Sequence, residues 1–194
     1  MLETFFISKV RVKVLTLFFS CPGEMFHVRE IVRRTQEEIN AVRRELARLE
    51  KEGLLKSEWR ANRRYYNVQT GYIFFPELVR LVAKSNGIGA KILANRMKLG
   101  KVKYAILSLG YVLGKDVEPD DVNIFIVGDI VLPELGLLIR EEENRKGSAV
   151  NYTPMSEDEF VFRKRRRDPF IMRLLASPRV MVIGDETALM DGSG

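Results

Sequence analysis

Apolar positions in the first part of the chain recur at helical spacing and then alternate. From Ser8 to about Ser20, Val10, Val14, Leu17 and Phe18 share one stripe, while Arg11 and Lys13 fall off it, which predicts an amphipathic helix. Cys21-Pro22-Gly23 stops that helix. Met25–His27 reads as a short extended stretch, and Val28–Arg34 as a short helix around Ile31 and Val32. Thr35-Gln36-Glu37-Glu38 has the form of a capping box, a hydroxyl followed three residues later by a carboxylate. It predicts a helix over about 36–52, closed by Gly53, with Ile39, Val42, Leu46 and Leu49 as its buried stripe. Two β-prone runs, 54–59 and 65–68, flank Arg60-Ala61-Asn62-Arg63-Arg64 and predict a hairpin, with Asn62 suited to a positive φ in its turn. Residues 72–85 are apolar and helical after Pro76, a connector that can also serve a dimer interface.

Asn86-Gly87-Ile88-Gly89 then breaks the chain and sets a domain boundary, giving domains 1–85 and 86–194. Beyond it the pattern interleaves. Helices are expected over Ala90–Leu99, Leu132–Glu143, Glu157–Arg166 and Pro169–Ala176. Strands are expected over Val102–Leu107, Val122–Val127, Ala149–Thr153 and Val180–Ile183, and Met190–Gly194 as a frayed tail. Such interleaving argues an α/β or α+β domain around a small sheet.

Charge changes the picture once it is divided. Residues 1–84 carry 16 Lys+Arg against 10 Asp+Glu, and the remainder carries 16 of each, so the whole net charge of +6 lies in the first domain. That is the imbalance expected where phosphates are to be attracted. Gln36, Asn40, Arg43, Arg44 and Ala47 occupy the outer face of the 36–52 helix. Arg with guanine and Asn or Gln with adenine are the pairings that major-groove geometry favours. Arg60, Asn62, Arg63 and Arg64 at the hairpin tip suit the phosphate backbone or a minor groove. One cysteine, Cys21, and one histidine, His27, are too few for a metal cluster, so neither metal nor cofactor is expected. No apolar run reaches the roughly 18 residues that span a bilayer, and the N-terminal residues show no signal-peptide pattern. With no disulfide possible within the chain, a cytoplasmic location is expected. The basic run Arg163–Arg167 has acids on both sides and reads first as a solvated helix end, with a phosphate grip as the alternative.

The order of helix, short helix, helix, Gly and basic hairpin resembles the winged helix-turn-helix of ArsR/MarR-type regulators. VRREL-ARLEKEGLL followed by NRRYYNV carries that resemblance, and Ala61-Asn62 stands where the family's wing turn is usually Gly-Asn. The resemblance implies a homodimer on a pseudo-palindromic double-stranded DNA site. Residues 105–129 resemble the signature of the minimal nucleotidyltransferase (polymerase-β-like) superfamily, in degenerate form. Leu109-Gly110 stands in place of Gly-Ser, Val112-Leu113-Gly114 in place of Ala-Arg-Gly, and Asp121-x-Asn123 in place of two acids on alternate strand positions. A two-metal site is thereby incomplete. Together these resemblances imply an α+β chain: an N-terminal winged helix-turn-helix plus a C-terminal α/β nucleotidyltransferase-like domain with a small mixed sheet. The expected function is sequence-specific DNA-binding transcription regulation without enzymatic activity. Gly110, Gly114, Asp121 and Asn123 are then a vestigial nucleotide site, and the second domain serves dimerisation or senses a nucleotide-like effector. The alternatives are a nucleotidyltransferase with a winged-helix recognition domain, and a protein-interaction module.

Overall fold

The computed structural model describes residues 8–115 and 121–191. The N-terminal segment read for a leader, Asp120, and the 192–194 part of the expected tail lie outside these residues. The described chain is mixed α+β, with ten helices and two sheets of three and four strands. It divides into two compact units, Met1–Ser85 and Asn86–Gly194. No described helix is long and apolar enough to cross a membrane.

In the first unit, α1 (Lys9–Ser20) is followed by β1 (Phe26–His27), α2 (Val28–Thr35), α3 (Ile39–Lys51), β2 (Leu55–Arg60), β3 (Arg63–Val68) and α4 (Phe75–Ser85). Ser8 starts α1, its hydroxyl accepting from Arg11 N. The strands form an antiparallel sheet in the order β1-β3-β2. α1 packs on α2, α3 and α4, and Val14, Phe18, Phe26, Ile31, Val42, Leu46 and Leu55 are buried at the centre. Each large apolar side chain so buried is worth about 1.5–3 kcal/mol, which is what holds short helices in place. Phe18 meets Phe26 edge to face at 5.5 Å. Glu45, only 8% exposed, takes Arg11 Nε at 2.6 Å and Nη2 at 3.2 Å, clamping α1 to α3.

The capping box at Thr35 does not form. Thr35 is buried, and its hydroxyl donates to Ile31 O at 2.8 Å inside α2, so it is not available to start the next helix. Gln36 takes a left-handed conformation (φ 55°) and closes α2 through its N–H to Val32 O. The cap of α3 is Glu38, whose carboxylate accepts from Asn40 N and Ala41 N at 2.8 Å each. These two backbone donors hold the Glu38 carboxyl below the usual range. Helix α3 therefore begins three residues later than expected, and Gln36 lies before it.

The second unit runs α5 (Gly87–Ala94), β4 (Gly100–Ser108), α6 (Leu109–Val112), β5 (Ile124–Ile130), α7 (Leu132–Lys146), β6 (Tyr152–Met155), α8 (Glu157–Arg165), α9 (Pro169–Ala176), β7 (Arg179–Ile183) and α10 (Glu186–Met190). Its sheet, in the order β6-β5-β4-β7, is mixed: β4 is antiparallel to β5 and β7, while β5 and β6 are parallel. Tyr104, Ile106, Phe125 and Val127 face a core completed by Phe160 of α8, Ile171 and Leu175 of α9, and Leu189 of α10. The alternate set, Ala105, Leu107, Ile124 and Ile126, is equally buried, so both faces of the sheet are covered. Gly128 is required where it stands, at φ 146°, because a Cβ there would lie 2.1 Å from Lys101 O.

Three expectations for this unit need correction. The helix expected over Ala90–Leu99 is α5, which starts at Gly87, directly after the break at Asn86 where the two units divide, and ends at Ala94. Gly87, at φ 56°, sits against the Arg145 and Glu142 side chains, where a Cβ would come within 3.2 Å of Arg145 Nη2. The Ala149–Thr153 strand is displaced to Tyr152–Met155, since Asn151 is occupied with Asn123 through Asn123 N to Asn151 O and Asn151 N to Asn123 Oδ1, both 2.8 Å. Strand β5 likewise starts at Ile124, so Asp121 and Asn123 precede the strand on which they were expected to alternate.

Candidate nucleic-acid interface

Helix α3 presents two faces. Val42, Leu46 and Leu49 are buried, whereas Asn40, Arg43, Arg44 and Ala47 are exposed one step around the helix. Arg43 and Ala47 form one wall of a cleft of about 580 Å³. Trp59, Asn62, Arg63 and Arg64 of the β2–β3 hairpin form another, and His27, Val28 and Arg29 at the start of α2 complete it with Tyr66. Arg43, Arg44, Arg63 and Arg29 make no ion pair among the described residues. Burial pushes the Tyr66 phenol above its usual range, against the pull of Arg64, leaving its hydroxyl protonated.

The hairpin arginines do not share one role. Arg64 Nη2 donates to Glu50 at 3.0 and 2.9 Å, its Nε donates to Ser57 Oγ at 2.9 Å, and its guanidinium lies 5.3 Å from the Tyr66 ring. Arg64 thus ties the hairpin to the last turns of α3. Arg60 pairs with the Glu58 carboxylate and lies 5.7 Å from the Tyr65 ring. Arg63 is left exposed at the tip. The turn itself is two residues, Ala61 and Asn62, and Ala61 rather than Asn62 takes the positive φ, 52°. A hairpin turn with a positive φ at its first residue alone matches the strand twist and normally has glycine there.

Five lining residues escaped sequence reasoning: His27, Val28, Arg29, Trp59 and Tyr66. Trp59 is 70% exposed although it alternates with Leu55 and Ser57 on the α3-facing side of β2. The hairpin outruns the helical layer, so its inward position at the tip has no core to enter. That alternation was the available signal. His27 caps α2, its Nδ1 accepting from Glu30 N at 3.3 Å, and Arg29 follows in the first turn; neither belongs to a periodic stripe.

The four residues of the expected nucleotide site separate. Gly110 and Asp121 line a second cleft, in the second unit, of about 650 Å³. Gly114 (φ 65°) follows α6 and does not line it. Asn123, 3% exposed, is structural: its Oδ1 accepts from Asn151 N and its backbone pairs with Asn151 and Ser108. Leu109 N donates to Pro178 O at 2.9 Å, and Tyr111 N to Ser108 Oγ at 3.2 Å, so two N–H groups at the start of α6 serve the protein itself. Within the 163–167 run, Arg163 pairs with Glu159 at 2.7 Å, Lys164 Nζ donates to the carbonyls of Leu189 and Asp191, and Arg166 lies 4.6 Å from the Phe162 ring. No family model, no curated protein and no solved structure matches the chain.

Proposed function

We propose that the chain is a sequence-specific, double-stranded-DNA-binding transcription regulator, acting as a homodimer in the cytoplasm. In this reading residues 1–85 form a winged helix-turn-helix with α3 in the major groove and the β2–β3 hairpin as wing. Residues 86–194 form a nucleotidyltransferase-like domain without transfer activity, serving dimerisation or effector sensing. The carrying observation is the joint exposure of Asn40, Arg43 and Arg44 on α3, beside a cleft whose opposite wall bears Asn62 and Arg63. An exposed helix face with planar hydrogen-bonding side chains reads base edges, and an unpaired arginine at a strand tip binds phosphate. Gln36 is exposed in the turn before α3 and would meet the DNA backbone through its side-chain amide, since Glu38 already occupies the N–H groups at the start of α3. Arg64, bonded to Glu50 of α3, holds the wing in position, and Arg60 stands exposed on the wing, paired with Glu58. The absence of transfer activity is supported by Asn123, which is neutral, buried and bound to Asn151.

Selection of bound duplexes from a random pool by the full chain tests this. Two half-sites about one helical turn apart, roughly 34–36 Å or a multiple, are expected. Affinity for the selected duplex should fall on Arg44→Ala at fixed salt. Recovery of no sequence, or an unchanged affinity in that variant, refutes the assignment.

A further inference from the structure

The cleft of the second unit has a character of its own. It opens where β4 passes into α6, between α6 and the end of α9. Ile106 and Phe125 reach it from the core, and Val122, Phe170 and Leu174 pack on that core yet are only partly buried. Leu109 and Leu113 line the other side. Apolar surface left half-covered inside a concavity of about 650 Å³ gains most from an apolar occupant, and the volume is that of small-molecule sites.

Polar groups at this cleft are few and unequal. Arg179 is engaged, its Nε donating to Ser177 O at 3.1 Å and its Nη2 to Leu175 O. Lys115 and Arg173 are exposed and make no ion pair among the described residues, so two cations border an apolar hollow uncommitted. Asp121 is the carboxylate among the described lining residues, and it opposes a heavily charged guest. The N–H groups of Leu109 and Tyr111 are spent on Pro178 O and Ser108 Oγ and do not add to a phosphate cradle.

We propose that this cleft binds a small amphiphilic anion, with its apolar body against Phe170, Leu174, Leu109 and Leu113 and one compact anionic group, of carboxylate size, on Lys115 and Arg173. The site is independent of the DNA reading, since its described lining residues all belong to the second unit. The ligand differs from a metal-chelated nucleoside triphosphate in both respects that matter here: it is mostly apolar and carries little charge.

The test uses the full chain without DNA and decanoate as probe, below its micellar concentration, in titration calorimetry. One saturable site per chain is expected. Lys115→Gln with Arg173→Gln should weaken it about tenfold or more, the value of charge-assisted hydrogen bonds to the head group. Both residues are exposed, and an unchanged thermal midpoint without ligand shows that the variant folds. Decanol, with the same chain and no charge, should bind as weakly as decanoate binds the double variant. ATP, with or without Mg²⁺, should not displace decanoate. No saturable decanoate binding, equal binding of decanol, an unaffected double variant, or displacement by ATP would each overturn the proposal.

Discussion

Arg63 and Arg64 are neighbours in sequence, and the structure sets them to different work, which gives a sharp double test. Arg64 is partly exposed, as is Glu50, at 40% and 28% of their side-chain surface, so their ion pair alone is worth no more than about 1 kcal/mol. The two-pronged contact to Glu50, the bond to Ser57 and the cover over Tyr66 raise the expected cost of Arg64→Ala to about 1–2 kcal/mol. For a unit of this size that is a fall in Tm of several degrees. Arg63 has no such partner, so Arg63→Ala should leave Tm within about a degree. On the proposed function, its effect is expected in DNA binding. Each phosphate contact contributes about 0.9 to the slope of log K against log salt on B-DNA, so losing one from each protomer of a dimer lowers the slope by roughly 1.8. Fluorescence anisotropy of the selected duplex between 50 and 300 mM salt, at about those limits, reads the slope. Arg64→Ala should lower affinity while leaving the slope nearly intact. If instead Arg64→Ala flattens the slope as Arg63→Ala does and leaves Tm unchanged, the latch is not what Arg64 does.

Three further variants bear on stability. Ala61 holds a left-handed conformation at the hairpin turn, so Ala61→Gly should stabilise the first unit by about 0.5–1 kcal/mol, read as a higher Tm; a lower Tm refutes the strain. Glu142, 1% exposed, accepts from Arg145 Nη2 at 2.6 Å and from Tyr111 OH at 2.9 Å. Burial raises its pKa, but the Arg145 hydrogen bond and charge, with Tyr111 and Lys146, outweigh that and hold it below 4.5. A lowered folded pKa gives stability that is full above the unfolded value and lost as pH falls through the folded one. Glu142→Gln should therefore cost about 2 kcal/mol at pH 7, with the gap to the parent closing below about pH 4.5 in acid titrations of Tm; a gap constant down to pH 3 sinks this account. Asn123→Asp puts a carboxylate oxygen where the buried Nδ2 has no partner. Burial raises the pKa of such a group, so the variant should lose about 1–3 kcal/mol at pH 7 and recover as pH falls toward 4, by denaturant melts at the two pH values, and it should gain no nucleotidyl transfer.

How far the sequence spoke for the structure depended on the range of the forces involved. The span of α1, Ser8 to Ser20, was legible because a helical period is local, but its stripe was misassigned: Val12, Leu15 and Phe19 are buried with Val14 and Phe18, whereas Val10 and Leu17 are only partly buried. The hairpin was legible for the same reason, its two strands pairing across two residues. Thr35 misled because the motif it completes is local while its fate is not. Burial beside Ile31 turned its hydroxyl into α2 and moved the start of α3 to Glu38, leaving Gln36 outside the helix. The partner of Arg64 was out of reach in the same way, since Glu50 lies 14 residues upstream on another element. Helix α6, with four residues, is too short to show a period.

In the second unit the residues that resemble a nucleotide motif divide between a cleft, with Gly110 and Asp121, and a structural pair, Asn123 with Asn151. Residue types at fixed spacing name a site only if the backbone between them holds the geometry the motif assumes. Here β5 begins at Ile124, after both Asp121 and Asn123, so the alternation that would aim two side chains at one point never starts. Asn123 instead turns inward to fix Asn151 and the entry to β6, and Asp121 stays at the cleft with Gly110. The hollow itself is set by the fold, because two apolar residues that shape it, Ile106 and Phe125, also belong to the core. A cavity whose walls are core residues persists as long as the fold does, whatever happens to the polar groups around it. Its chemistry then follows from what lines it: apolar side chains beside two cations, Lys115 and Arg173, that make no ion pair among the described residues.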